Sequence, residues 1–326
     1  TAEPGTWCDA ASGTCINECE QAAAEHSNIG CEYWAVDLDN ADSPLDHAAQ
    51  EQFAVVVANV NITYSADVWV YADSSGAGEP TVEWQVDFQT VLPGGLHIFR
   101  LPMYNVDGED TTPNYDDGPQ TAISKRTYRV VSSVPVVAYQ FNPINQAYSN
   151  GASLLLPTPG LGNMYNVATW PPANPIAIPP TLPTPNRSYV TVIATADDTT
   201  VWVTPAYDIE GSVAPQPEFQ SLSPITAGTR TEFYMNRYEV LNLENKSQLT
   251  PYPDLTGTIV ESTRPVAVFT GQDLAGVRQL LEGPGTRLGK FAFMCGRLRF
   301  QKRWSQSLHP WTMRSTAGRS WAMGKV

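Results

Sequence analysis

The strand-forming segments of this chain occur twice, in the same order, and that repetition limits the fold more than any other feature. Phe53-Ala54-Val55-Val56-Val57-Ala58-Asn59 leads through a polar turn to Asp67-Val68-Trp69-Val70-Tyr71. Tyr189-Val190-Thr191-Val192-Ile193-Ala194-Thr195 leads through Asp197-Asp198 to Thr200-Val201-Trp202-Val203-Thr204. A Gly-led strand follows each, at 93–100 and at 227–234. Each set then closes with a strand, a Ser-containing turn set by Pro, and a second apolar strand, at 128–139 and at 257–269. The matched positions Phe53/Tyr189, Trp69/Trp202, Gly95/Gly228 and Pro135/Pro265 lie 136, 133, 133 and 130 residues apart. Four elements in one order at nearly one spacing mark an internal duplication.

Short apolar runs rich in Val and aromatics, bounded by turn residues, are strands rather than helices. Hairpins must cover their apolar faces, which favours a small sandwich per copy. The expected fold is all-β: two tandem, diverged, strand-rich, sandwich-like units behind a short disulfide-bonded N-terminal segment. Composition agrees, with 27 Pro and 23 Gly against only 16% charged residues. Pro135 and Pro265 are expected at strand starts or edges, because proline has no N–H for a ladder.

Five parts follow: a Cys-rich segment with a short helix and first strand over 1–49, a first β unit over 50–156, a Pro-rich connector over 157–185, a second β unit over 186–272, and a basic tail over 273–326. The helix is placed at 16–27, where Glu, Gln and Ala22-Ala23-Ala24 dominate. The tail is set apart by charge: residues 1–272 carry a net charge of -22 and residues 273–326 carry +8. It has no clear period, so it is read as a frame-shifted product, a native variant end or a basic docking segment, with at most a short strand near Phe291 to Met294.

The net charge of -14 excludes a nucleic-acid partner, since phosphate binding is driven by clustered Lys and Arg. Cys8, Cys15, Cys19 and Cys31 fall within the first 31 residues without a C-x-x-C pair, and Cys295 stands alone. This favours two disulfides in an oxidising compartment over zinc, with three pairings open. Thr1 opens no leader-like segment, so the chain reads as a mature or trimmed product. No apolar run is long enough to cross a bilayer. N-x-S/T triplets stand at Asn61, Asn186 and Asn245, a pattern compatible with export.

No catalytic residues are assigned. Only His26, His47, His97 and His309 are available to activate a nucleophile, and there is no G-x-S-x-G turn. Ser132, Ser133 and Ser262 lie in the repeated turn, where hydroxyls serve the backbone. No phosphate-cradling loop is present, and no cofactor is expected apart from calcium, for which the spacing of Asp37, Asp39 and Asp42 offers clustered oxygen ligands. Asp107, Glu109, Asp110, Asp116 and Asp117 form a second acidic group of the same kind. Trp34, Trp84, Tyr104 and Trp170 are candidates for stacking on sugars, against a core role.

Four segments resemble the IgGFc-binding protein N-terminal domain family. They are Gly30-Cys31-Glu32-Tyr33-Trp34-Ala35-Val36-Asp37-Leu38-Asp39-Asn40, the run from Ser132 to Asn142 through Pro135, Ser153-Leu154-Leu155-Leu156-Pro157, and the run from Leu255 to Gly271 through Pro265. The resemblance covers roughly residues 28–272, and its bacterial members carry a Cys-rich segment ahead of the module, as Cys8 to Cys31 do here. It implies a non-enzymatic recognition or adhesion role for a secreted or cell-surface protein, with an extracellular protein or glycan as partner. Antibody binding belongs to particular animal members and is not extended to this chain. A carbohydrate-active enzyme or carbohydrate-binding module built on an acidic cleft is the rival reading, and a structural spacer is the third.

Overall fold

A computed structural model of the chain describes residues 6–8, 13, 15–40, 42–43, 46–108, 118–145, 151–172, 186–213, 216–246, 253–273 and 293–294. Strands β1 (Thr6–Cys8) and β2 (Cys15–Asn17) form a small hairpin ahead of helix α1 (Glu18–Glu25). The Asn17 side chain caps the helix by accepting from the Cys19 and Glu20 N–H groups, and His26 ends it in the left-handed conformation. The pairing that spacing left open is Cys8–Cys15 and Cys19–Cys31. The second bond ties α1 to strand β3 (Gly30–Ala35). A two-residue hairpin, β4 (Asp42–Ser43) and β5 (Asp46–His47), leads into the first large sheet.

That sheet comprises β6 (Ala54–Ala58), β7 (Ala66–Asp73), β8 (Glu83–Val91) and β9 (Leu96–Arg100), while β10 (Ala122–Ser124) belongs to the other sheet. The long β11 (Tyr128–Asn142), β12 (Gly151–Leu154) and β3 complete it. The second sheet contains β13 (Gly162–Asn166), β14 (Ser188–Ala194), β15 (Thr199–Thr204), β16 (Gln220–Ser221), β17 (Thr231–Met235), β18 (Val240–Glu244), β19 (Ile259–Gln272) and β20 (Phe293–Met294). Each sheet curls into a half-barrel. Strand β20 is the short strand expected near the start of the tail, and it pairs with Phe269 and Thr270.

The duplication is visible as one wiring diagram used twice. In the first copy β11 pairs with β3, β7, β6 and β12, and in the second β19 pairs with β13, β15, β14 and β20. The outer strands match as well: β8 follows β7 as β17 follows β15, and β9 follows β6 as β18 follows β14. One matched pair from the sequence does not survive. Gly95 precedes β9, whereas Gly228 precedes β17, whose counterpart is β8. The equal spacing arises because a long loop before β17 compensates for the longer β8. The topological repeat runs from Gly30 and from Gly162, earlier than its apolar runs reveal.

Pro135 and Pro265 lie inside the single strands β11 and β19, not at strand starts. Both sit at a bulge where the partner changes, from β7 to β6 and from β15 to β14. A bulge leaves backbone unpaired, so a residue without an N–H is tolerated there. Three hydrogen bonds recur around it. Ser132 Oγ donates to Val134 O as Ser262 Oγ donates to Arg264 O, at 2.7 and 2.6 Å. Ser133 Oγ accepts from Asp67 N as Thr263 Oγ1 accepts from Thr200 N, both at 3.0 Å. Tyr33 Oη donates to Val136 O as Tyr165 Oη donates to Val266 O, at 2.5 and 2.6 Å.

The two copies share a core. Trp34, Phe53, Phe99 and Tyr128 from the first pack in one cluster with Tyr189, Ile193, Tyr238 and Phe269 from the second, and Trp34 meets Tyr238 edge to face at 5.0 Å. The second cluster, around Val190, Val201, Leu241 and Val268, takes in Ile123 from β10, which pairs with β18. A chain segment from the first copy thus adds a strand to the second copy's sheet.

Candidate functional site

The shared seam is where the acidic residues converge. After β3 the chain crosses the end of β11: Val36 N donates to Gln140 Oε1 at 3.1 Å, Asn142 Nδ2 donates to Leu38 O, and Asn40 Nδ2 donates to Asn142 O. On its other side Asp37 bridges to Asn105, and Asp37 Oδ2 accepts from Tyr104 N at 3.0 Å. Residues 36–40 are therefore fixed beside 104–107. Asp39 and Asp107 then lie next to Glu244, which closes β18; one oxygen from each lies within 4.8 Å of the others. All three are 5% exposed or less.

Asp273, just beyond β19, joins them through a side-chain hydrogen bond with Asp39. Its Oδ2 accepts from Arg187 N at 2.7 Å, and its Oδ1 is buried. Arg187 Nη1 lies 3.3 Å from Glu244 Oε2 and also donates to Gln120 Oε1. The seam thus gathers four carboxylates beside the Arg187 guanidinium, which meets Glu244.

Burial sets the electrostatics. Asp39 is held well above the usual carboxylate range, first by loss of hydration and then by Asp273, Asp107 and Glu244. Burial likewise pushes Asp37 up to about 7, against the Tyr104 N–H and Arg126. The Tyr189 hydroxyl is raised by the same burial and by the neighbouring carboxylates. A buried carboxyl that loses its hydration favours the neutral form, as Asp39 does here. Clustered carboxylate oxygens are also the donor set that a hard cation such as calcium takes.

Of the three calcium candidates first singled out, the fold brings Asp39 alone into this cluster. Asp37 turns to Tyr104, and the side chain of Asp42 lies outside the described residues. From the second acidic group Asp107 arrives, while Glu109, Asp110, Asp116 and Asp117 lie outside the described residues. Glu244, Asp273 and Arg187 carried no signal in sequence, because each stands at a strand end and only pairing brings them together.

Groups that sequence offered for other chemistry are occupied structurally. His26 Nδ1 lies 3.0 Å from Pro159 O, and His97 packs on Phe99. The side chains of His47 and His309 lie outside the described residues. Trp34 is in the core with its N–H on Thr158 Oγ1, and Tyr104 lies beneath Arg126. Trp84 and Trp170 are exposed. Trp69 and Trp202, the centres of the repeated Val-Trp-Val, face outward on the two sheets; Trp69 packs on Phe88, while Trp202 lies under Arg230 and donates to Glu232 Oε2 at 2.7 Å.

Comparison with known proteins gives one family match: residues 151–281 match the IgGFc binding protein family. The matched part begins at β12 and includes β13 to β19. No curated protein matches the chain. Among solved structures, one titled "Cryo-EM Atomic Structure of Broad Bean Stain Virus (BBSV)" aligns over 72% of this chain and 87% of that chain, at 10% identity and a TM-score of 0.20. At that score the likeness carries no argument. No described helix is long and apolar enough to cross a membrane.

Proposed function

We propose that this chain is a non-enzymatic recognition or adhesion module, secreted or displayed at a cell surface, whose partner is an extracellular protein or glycan. The match of residues 151–281 to the IgGFc binding protein family carries this reading. Two disulfides support an oxidising compartment, and the Cys-rich segment ahead of the duplicated body supports a bacterial secreted member. Trp69 and Trp202, one on the outer side of each sheet, are the kind of amphipathic aromatics that contact surfaces use. The rival hydrolase needs two carboxylates facing a groove. Among the described residues the clustered carboxylates Asp39, Asp107 and Glu244 are buried in the seam, which favours binding over that reading.

The test is a binding screen of the full chain against immobilised glycans and extracellular proteins. Selective, saturable binding without chemical change of the partner is expected. Turnover of a bound glycan would overthrow the non-enzymatic reading, and an empty screen would favour a structural spacer.

We further propose calcium for the seam, on a specific observation: Asp39 and Asp107, from two separate acidic groups, meet Glu244 beside the buried Asp273 Oδ1. Asp39, Asp107 and Glu244 would hold the ion, which would bring positive charge to the cluster. Its role would be to lock the two copies together, since the three residues come from both.

A further inference from the structure

The duplication sets each surface of the first repeat against the same surface of the second. Strand β9 is the counterpart of β18. Asn59 N donates to Gly95 O as Ala194 N donates to Glu239 O, both at 2.9 Å, and Leu101 N donates to Phe53 O as Asn245 N donates to Ser188 O, at 3.2 and 3.0 Å. The cross-strand rows then match. Leu96, Ala58 and Val137 correspond to Val240, Ile193 and Ala267, and Ile98, Val56 and Tyr139 correspond to Asn242, Thr191 and Phe269.

The matched rows have opposite fates. Val240, Ile193, Ala267 and Phe269 are buried in the core that the second repeat shares with Trp34, Phe53 and Phe99 of the first. On the same outer face of the first repeat, Leu96 is 65% exposed, Tyr139 38%, and its cross-strand neighbour Leu154 37%. The edges differ in the same way: β18 carries β10 along its side, whereas β9 is the last strand of its sheet among the described residues.

The residues on this face suit burial. Ala54-Val55-Val56-Val57-Ala58 of β6 lacks the polar alternation of a strand with one wet side. Across β6, β9, β12 and residues 137–141 of β11, the outer face carries one charge, Arg100, and no acid, in a body whose net charge over residues 1–272 is -22. Exposed apolar surface of this kind marks an interaction site.

We propose that the outer face of β6, β9, β11 and β12 is a self-association surface that takes a second molecule of this chain. Within the chain, the matching face is covered by the apolar β surface of a like repeat, which sets the chemistry of the occupant. Both inner faces are already filled by the two core clusters, so the surface a second molecule offers is this same face. The contact is therefore isologous, with the strip around Leu96 and Tyr139 of each molecule meeting its twin about a twofold axis. Because the strip holds no acid, two acidic molecules approach there without bringing like charges of their bodies together.

Sedimentation equilibrium of the full chain, carrying Cys295→Ser to exclude a disulfide between molecules, tests this from micromolar to near-millimolar concentration. A monomer–dimer equilibrium is expected that persists at high salt, which would dissolve an association of the basic tail with an acidic body but not an apolar contact. Tyr139→Glu and Leu96→Glu each place a charge in the contact and are expected to weaken the dimer about tenfold or more. Both positions face solvent in the single molecule, so melting temperatures at low concentration should stay near the parent's, and the milder Tyr139→Ser should weaken the dimer in the same direction. A chain that stays monomeric over the whole range would overturn the proposal, whatever other partner the face accepts. A dimer that salt dissolves, or that the folded variants leave intact, would overturn it as well.

Discussion

The Tyr33 hydroxyl donates to the Val136 carbonyl at 2.5 Å, across the bulge that bends β11. Residue 136 is the first after Pro135 and the last to pair with β3. The bond therefore holds the bend where the ladder is interrupted, and Tyr165 does the same for Val266 in the second copy.

Removing either hydroxyl tests that role. Tyr33→Phe and Tyr165→Phe keep the ring but leave a buried carbonyl without this donor, and each is expected to cost about 1–2 kcal/mol. Urea unfolding should show a lower midpoint for both; a variant matching the parent would show that the bulge is held by Pro and Ser alone.

Lys125 is a second structural anchor. Its Nζ lies 3.1 Å from Asp73 Oδ2, 2.8 Å from Ser75 Oγ and 2.6 Å from Glu79 O, and both charged side chains are almost fully buried. Lys125→Met strands the Asp73 carboxylate, and breaking a buried pair costs about 3–5 kcal/mol. The double variant with Asp73→Asn is expected to recover part of the loss in thermal melts, because no charge is then left unpaired.

Asp37 predicts a pH dependence. Burial raises its folded pKa from 3.8 to about 7, so the folded chain holds this proton more tightly than the unfolded chain does. Its contribution to stability is intact below about pH 4, declines through the interval up to about 7 and is flat above it. Asp37→Asn keeps an oxygen for the Tyr104 N–H, so the variant should match the parent near pH 4 and melt higher at pH 8. A variant that melts lower at both values would refute the assignment.

Calcium at the seam predicts a separate gain in stability. At pH 7.5, added calcium is expected to raise the melting temperature of the full chain, with about 2.7 kcal/mol of stabilisation at a hundredfold excess over the dissociation constant. Asp107→Asn and Glu244→Gln should lose that response. An unchanged melting temperature with calcium or with chelator would remove the ion from the seam.

Much of the fold was readable because alternation and turn residues are local. The Val-Trp-Val runs became β7 and β15, the Ala-rich stretch became α1, and the Cys set became two disulfides. The matching of Gly95 with Gly228 failed because spacing alone cannot say which neighbour a strand takes. The site was legible only in fragments, through Asp39 and Asp107. Glu244 and Asp273 are single acids among 33, and neither has a local pattern that marks it.

Sequence by itself determined that the chain is β-rich, duplicated, disulfide-bonded near its start and acidic in its body, since each of these follows from residue type and period. Tertiary structure alone decided that the two copies share one core, that β10 crosses into the second sheet, and that four carboxylates meet at the seam. The physical reason is that burial and the approach of distant strand ends are set by pairing between segments far apart in the chain. No window of sequence contains that information.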